Sequence, residues 1–162
     1  MDNHTTVAVN NGEIRMLPTL ALRGISVFPG MLLNFDVERP MSIAALNAAM
    51  AGDQNIFLVA QKDIAINTPK PEDMYNVGTV SRIKQVLRVP GSNSVRVMVE
   101  GLVRARALEY TAVTPCFYCR VETVADEPER ASSVKIEAMI RQCCGLLDEY
   151  IQLSGLGAPA RW

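Results

Sequence analysis

The stretch SVRVMVEGLVRARALEY, from Ser94 to Tyr110, alternates apolar and charged side chains for most of its length. Successive side chains of a β-strand point to opposite faces, so this alternation predicts a long strand with one buried face. The predicted buried face consists of Val95, Val97, Val99, Val103 and Ala105. The opposite face carries Arg96, Glu100, Arg104 and Arg106, together with Met98 where a polar side chain is expected. The sequence therefore predicts a sheet whose second face meets solvent.

Several segments before this strand also have the composition of strands. VGTVSRIKQVLRVP (77–90) precedes it across the turn-forming sequence GSN (91–93), which predicts a β-hairpin. NIFLVAQKD (55–63) is almost continuously apolar, as is typical of a central strand. Two extended runs are expected between residues 14 and 38. The second is bent or bulged at Pro29, because proline cannot donate a ladder hydrogen bond.

Two helices are predicted. The first is short, with Ser42 as its N-cap and Gly52 as its terminator. The second is amphipathic and stops near Gly155; its apolar positions are Ile136, Met139, Ile140, Cys143, Leu146, Leu147, Tyr150 and Ile151. Gly145 within it costs about 1 kcal/mol relative to alanine, so we expect packing to hold the helix together there.

These elements predict an α+β fold: a closed or half-closed β-barrel with a small inserted helix and a C-terminal helix. The expected organisation is a disordered tail (1–13), a β domain (14–125), an amphipathic helical extension (126–155) and a further tail (156–162). The last tail reads either as native sequence or as an addition.

The composition argues against a nucleic-acid-binding domain, a membrane protein and a secreted protein. The 162 residues carry a net charge of -1, without the basic excess of a domain held mainly by nucleic-acid phosphates. No apolar run approaches the roughly 18 residues of a membrane span, and no signal peptide begins the sequence, so we expect a cytoplasmic protein without membrane contact.

The four cysteines include the pair Cys116 and Cys119, which a strand would point to opposite faces. We therefore expect buried thiols rather than a metal or redox site.

Catalytic motifs are missing from the sequence. It contains no phosphate-binding glycine loop, nucleophile elbow or zinc-protease helix. The one histidine, His4, lies in the polar N-terminal segment, so a serine or cysteine nucleophile would lack its usual base. We expect no enzyme activity and no cofactor in this chain alone, which makes a binding module the leading class.

Two surfaces are candidates for binding. The first is a basic row along the hairpin, Arg82, Lys84, Arg96 and Arg104, which would suit nucleic acid except that aromatic platforms are missing and Glu100 interrupts it. The second is apolar: Phe28, Leu32 and Met98 occupy faces that are otherwise polar. Flexible side chains such as methionine and leucine suit loose recognition of many partners. Equally, the C-terminal helix or the strand from Ile14 to Leu22 would cover these three residues in a purely structural arrangement.

Several motifs, taken in the order in which they occur, resemble those of the N-terminal domain of the Lon ATP-dependent proteases. The resemblance runs in one register from about Met16 to Tyr110 and continues more weakly into the C-terminal helix. It rests on the following matches: Leu17, Pro18, Leu22 and Arg23 as L-P-x-x-x-L-R; Val27 to Pro29 as V-F-P; Arg39 before the small helix; Leu58 to Lys62 as L-V-A-Q-K; Tyr75, Val77, Gly78 and Thr79 as Y-x-V-G-T; Val99 to Gly101 as V-E-G.

Three positions depart from the family pattern, which often has proline at Ala21, histidine at Gly30 and proline at Asn34. These changes bear on local backbone and surface. The ATPase and serine-lysine peptidase domains of the family are also missing from this sequence, which reads either as an excised domain or as a stand-alone protein of the same fold.

The resemblance implies a PUA-like pseudobarrel that selects unfolded, damaged or degron-bearing proteins for an ATP-dependent serine protease. It further implies ATP and magnesium in the parent enzyme, and a homo-hexamer with the remaining Lon domains as partners. The site residues expected to contact protein substrates are Phe28, Leu32 and Met98. The alternative is a PUA-like domain that binds RNA through Arg82, Lys84, Arg96 and Arg104.

Overall fold

The computed structural model describes residues 12–88, 90–124 and 134–154. The chain divides into two compact units, with the boundary after Ala125. The predicted tails at 1–13 and 156–162 lie almost wholly outside the described residues. No helix in the described part of the chain is long and apolar enough to cross a bilayer.

The first unit is a mixed sheet with one helix. Its strands are β1 (Ile14–Leu22), β2 (Leu32–Val37), β3 (Asn55–Ala60), β4 (Val77–Arg88), β5 (Val95–Ala112) and β6 (Phe117–Thr123), and its helix is α1 (Pro40–Ala51). A single 3₁₀ turn, Pro71–Asp73, lies between β3 and β4. The described part of the second unit is the helix α2 (Val134–Ser154). The fold is α+β, as the sequence predicts.

Strand pairing closes five of the six strands into a circuit. The order in the sheet is β2-β5-β4-β3-β1-β6, and β6 also pairs with β5. All of these pairings are antiparallel except that of β1 with β3. The strand β5 carries the quoted stretch and makes three of the pairings, with β2, β4 and β6. The strand with the marked alternation, β5, is therefore the one that pairs with the most neighbouring strands.

The core consists of two hydrophobic clusters on opposite sides of the sheet. Residues of β3 alternate between them: Ile56 and Leu58 join one cluster, and Phe57 and Val59 join the other. This explains why β3 is apolar at every position from Ile56 to Ala60, and it confirms that β3 is a central strand, between β4 and β1. On β5, Val95, Val97, Val99 and Ala105 are buried as predicted, whereas Val103 is only half-buried. The prediction of one buried face is wrong, because the three valines join the cluster of Ile56 and Leu58 and Ala105 joins that of Phe57 and Val59.

The helix α1 begins earlier than the sequence predicted. Arg39 occupies the N-cap position and Pro40 the first helical position, so Ser42 lies within the first turn and its prediction as N-cap is wrong. Proline at this position needs no backbone N–H and has a helical φ, which sets the start of the helix. Gly52 is the C-cap, as predicted. The helix packs against the cluster of Ile56 and Leu58 through Ala45, Leu46 and Ala49.

The second extended run is only partly a strand. A turn at Phe28–Met31 precedes β2, with the Met31 N–H donating to the Phe28 carbonyl at 3.1 Å. Pro29 and Gly30 are the central residues, and Gly30 has φ +80°, as a type II turn requires. The expected interruption at Pro29 is confirmed, and it takes the form of a turn.

The helix α2 is predicted correctly, but its glycine is not packed. None of its residues is buried, and the apolar stripe is exposed. A Cβ added at Gly145 would meet no atom within 4 Å. The expectation that packing compensates for Gly145 is therefore wrong for the described residues.

Candidate functional site

Two of the three predicted apolar site residues are strongly exposed. Phe28 and Leu32 have 56% and 63% of their surfaces accessible to solvent. Met98 is half-buried. We refer to Phe28, Leu32 and Met98 as the apolar patch. Exposure of an aromatic ring and a leucine at one corner of a sheet is unfavourable in water, unless another molecule covers them.

The pairing register places Leu32 and Met98 on one face of the sheet. Leu32 of β2 lies opposite Glu100 of β5, and Asn34 lies opposite Met98. Leu32 and Met98 are thus diagonal neighbours, a separation of about 7–8 Å that long side chains bridge. Gln85 of β4 flanks Met98 on its other side. Cross-strand neighbours on both sides account for the partial burial of Met98.

The turn that carries Phe28 is fixed to β5. The Gly30 N–H donates to the Gly101 carbonyl at 2.9 Å, and the Gly101 N–H donates to the Met31 carbonyl at 2.8 Å. The Phe28 carbonyl lies so close to Gly101 that a Cβ there would overlap it. Gly101 follows Glu100, the residue opposite Leu32, so the turn brings Phe28 to the same corner of the sheet.

Phe28 also lines a small open cavity of about 110 Å³ between the turn and β4. Val77 and Arg104 line the same cavity. Val77 is exposed as well and adds apolar surface on this side.

Sequence reasoning missed Leu87, which is 50% exposed. Leu87 lies opposite Arg96, on the face that carries Met98. The register between β4 and β5 shifts between Ile83 and Gln85, so the residues beyond the shift change faces. Simple alternation places Leu87 on the inner face with Ile83, and only the irregularity in the register moves it outward.

Two of the four cations in the basic row, Lys84 and Arg96, form ion pairs with acidic residues. Lys84 Nζ lies 2.6 Å from Glu100 Oε2, and Arg96 makes two hydrogen bonds to the Asp36 carboxylate, at 2.8 and 2.9 Å. Hydrogen bonding to Arg96 and the charge of its guanidinium hold the pKa of the Asp36 carboxyl below its ordinary value. Arg82 lies opposite Glu100 on β5, and Arg104 lies opposite Thr79. This face carries charges of both signs, which weakens its attraction for phosphates.

The cysteines behave as two pairs. Cys116 and Cys119 are buried in different clusters, as expected for residues that face opposite sides of a strand. Burial raises the pKa of the Cys119 thiol to about 11. Cys143 and Cys144 on α2 are exposed, so the expectation of buried thiols is wrong for them. Among the described residues, no group of three or more His, Cys, Asp or Glu side chains could hold a metal ion.

Comparison with curated proteins finds close relatives. The chain is 41% identical over 144 residues to a Lon protease of Desulforamulus reducens, and 42% identical over 140 residues to one of Syntrophomonas wolfei. These alignments cover 89% and 86% of this chain but only 17% of each relative. The chain thus spans about a sixth of the length of the relatives it matches.

Solved structures show the same fold. The N-terminal domain of a Lon protease from the Mycobacterium avium complex superposes with a TM-score of 0.65 at 22% identity, covering 87% of this chain and 70% of that one. A Lon N-terminal domain protein from Xanthomonas campestris gives a TM-score of 0.58 at 14% identity, covering 83% and 75%.

The family model described as the ATP-dependent protease La (LON) substrate-binding domain matches residues 16–160, almost the whole chain. The match includes the turn, β2 and β5, which carry the apolar patch. The resemblance inferred from the sequence motifs is confirmed, and the chain belongs to the family of LON substrate-binding domains.

Proposed function

We propose that this chain selects substrates for a Lon protease by binding exposed apolar segments of unfolded, damaged or degron-bearing proteins on the apolar patch. The observation that carries this proposal is the exposure of Phe28 and Leu32 beside a turn that hydrogen bonds hold against β5. A fixed backbone lowers the entropy cost of presenting these side chains to a partner. The half-buried Met98 supplies a deformable apolar surface next to Leu32.

Single contacts of this kind give weak binding. Full burial of one such side chain contributes about 1.5–3 kcal/mol before entropy costs. A few contacts therefore give an affinity of millimolar order, which corresponds to about 4 kcal/mol. Weak binding suits a domain that must release its substrate to a processing machine.

In this proposal the parent protein is an ATP-dependent serine protease that works as a homo-hexamer. The ATPase and Ser-Lys peptidase domains, with ATP and magnesium, belong to the remainder of that protein. The closed circuit of five strands is a PUA-like pseudobarrel, and α2 connects it to the remaining domains. The cytoplasmic location expected from the sequence is part of the same proposal.

The test is a titration of the ¹⁵N-labelled chain with a permanently unfolded, apolar-rich protein, followed by chemical shift mapping. Shift changes are expected at Phe28, Leu32 and Met98. Leu32→Ser and Phe28→Ser should each weaken binding about tenfold, which corresponds to about 1.4 kcal/mol of lost apolar contact. Ile64→Ser is the matched control, since Ile64 is 60% exposed and lies outside the patch. Equal weakening by Ile64→Ser would contradict the proposal.

Salt concentration separates protein binding from RNA binding. Binding to phosphates through Arg82, Lys84, Arg96 and Arg104 would weaken steeply as salt rises, whereas an apolar contact persists. The ion pairs of Lys84 and Arg96 favour the protein substrate. Shift changes confined to these four cations, with a steep loss of affinity in salt, would replace the proposal by the RNA alternative.

A further inference from the structure

A second cavity, of about 230 Å³, lies at the N-terminus of α1 and has no residue in common with the apolar patch. Met41 and Phe117 contribute to an apolar wall, and the polar lining comes from Thr19, Arg39, Ser42, Asn67 and Thr68. A charged side chain beside an apolar wall is the usual composition of a site that fixes one polar group and accommodates an apolar neighbour.

Arg39 brings a positive charge to this cavity without a negative partner. Its guanidinium donates to Gln61 Oε1 at 2.9 Å and to the Ala21 carbonyl, which are both neutral acceptors. No carboxylate in the described part of the chain forms an ion pair with it. Burial, followed by the positive charge of Arg23, lowers the pKa of Arg39. A half-buried cation in this setting is stabilised by an anion.

The first turn of α1 supplies further donors. The N–H groups of Met41 and Ser42 precede the intrahelical ladder, and no acidic side chain lies in the first turn to offset the positive end of the helix. Ser42 is only 6% exposed and lines the cavity, yet its hydroxyl makes no hydrogen bond to any described residue. The Ser42 Oγ atom itself is not enclosed, since among the described residues Asn55 Oδ1 is the buried side-chain polar atom without a partner. The hydroxyl of this otherwise buried residue therefore opens into the cavity and is free to hydrogen bond a ligand there.

We propose that this cavity binds a carboxylate of a protein substrate, held by Arg39, the Ser42 hydroxyl and the first turn of α1. The inference rests on the proposed function, since it assumes that the chain binds proteins. A carboxylate fits better than a phosphate because the cavity offers one cation and an apolar wall. The carboxylate of a chain terminus fits best, with its last side chain against Met41 and Phe117.

The test compares three short peptides with the full chain by chemical shift titration. One ends in an apolar residue with a free carboxylate, one is its C-terminal amide, and one has an internal aspartate and an amide end. The free acid should bind at least about tenfold more tightly than its amide and shift the signals of Thr19 and Ser42. Equal affinity of acid and amide would overturn the proposal. Stronger binding of the aspartate peptide would move the source of the carboxylate to a side chain.

Variants locate the effect. Ser42→Ala removes only the unpartnered hydroxyl and should reduce the preference for the acid several-fold, while Ser92→Ala in the exposed hairpin turn should leave it unchanged. Arg39→Lys keeps the charge and should retain part of the preference, even if Arg39→Gln fails to fold. Tighter binding of inorganic phosphate than of the peptide acid would overturn the choice of a carboxylate.

The two proposals can fail separately. If the unfolded protein perturbs the apolar patch but the acid and amide peptides bind alike, only the carboxylate site is lost. If the acid is preferred but the patch never responds, only the role of the patch is lost.

Discussion

Gly101 shows how one residue connects the core to the candidate site. It is buried on β5, and its missing side chain leaves room for the carbonyl of Phe28. The backbone therefore crosses there at a distance that any other residue would prevent. The exposed position of Phe28 depends on this contact.

Gly101→Ala should destabilise the protein by about 2 kcal/mol or more, because the added methyl group must displace backbone rather than a side chain. Denaturant unfolding followed by circular dichroism measures the loss. The same variant should weaken binding of an unfolded protein, since the turn can no longer sit against β5. A stability equal to that of the parent chain would show that the turn moves freely and does not fix Phe28.

At the scale of the element, Gly145 of α2 has no described neighbour that packs against it. The described residues of α2 are all at least partly exposed. Alanine has a higher helix propensity than glycine because its backbone loses less entropy.

Gly145→Ala should stabilise α2 by up to about 1 kcal/mol. Thermal melting of the helical circular dichroism signal measures the change, and a higher midpoint is expected. This variant also serves as the control for Gly101→Ala, because the same chemical change should have opposite signs in the helix and in the sheet. A lower melting midpoint would reveal a close neighbour of Gly145.

The strands could be predicted where a single periodicity governs them. The alternation of β5 and the apolar run of β3 identify both strands. A strand buried on one face alternates apolar and polar residues, and a strand buried on both faces is apolar in succession. Phe28 and Leu32 lie on a face that the sequence predicts to be otherwise polar, and both are exposed. The alternation alone does not decide whether another element covers them.

Other features depend on contacts that no local pattern encodes. The outward position of Leu87 follows from a register shift between two strands. The partial burial of Met98 follows from its neighbours on β2 and β4. The cavity at Arg39 requires β1, α1 and the 67–69 segment to meet. The start of α1 is a case that the sequence does encode. Pro40 favours the first helical position more strongly than Ser42 favours the N-cap, so the helix begins at the proline.

At the scale of the whole molecule, weak contacts become effective through multiplicity. In the proposed hexamer, six apolar patches would share one substrate. Once the first patch is occupied, each further contact forms at an effective concentration set by the connection between the copies.

Fusing this chain to a hexamer-forming scaffold should raise its apparent affinity for an unfolded protein by about 100-fold or more relative to the single chain. Surface plasmon resonance with the unfolded protein immobilised at low density measures the gain. The same fusion carrying Leu32→Ser should lose most of it, and the fusion carrying Ile64→Ser should keep it. A hexamer that binds no more tightly than the single chain would contradict the multivalent mechanism.

The pairing of β1 with β6 has a consequence for how the protein is made. Glu13 and Thr123, at the ends of these strands, are hydrogen bonded at 3.0 Å although 110 residues separate them in sequence. At a synthesis rate of about 5–20 residues per second, β1 waits roughly 5 to 20 seconds for its partner. During that interval a strand edge and the apolar residues beneath it are open to other chains. In our proposal the protein binds incompletely folded chains, and during its own synthesis it exposes the same kind of unpaired strand edge and apolar surface.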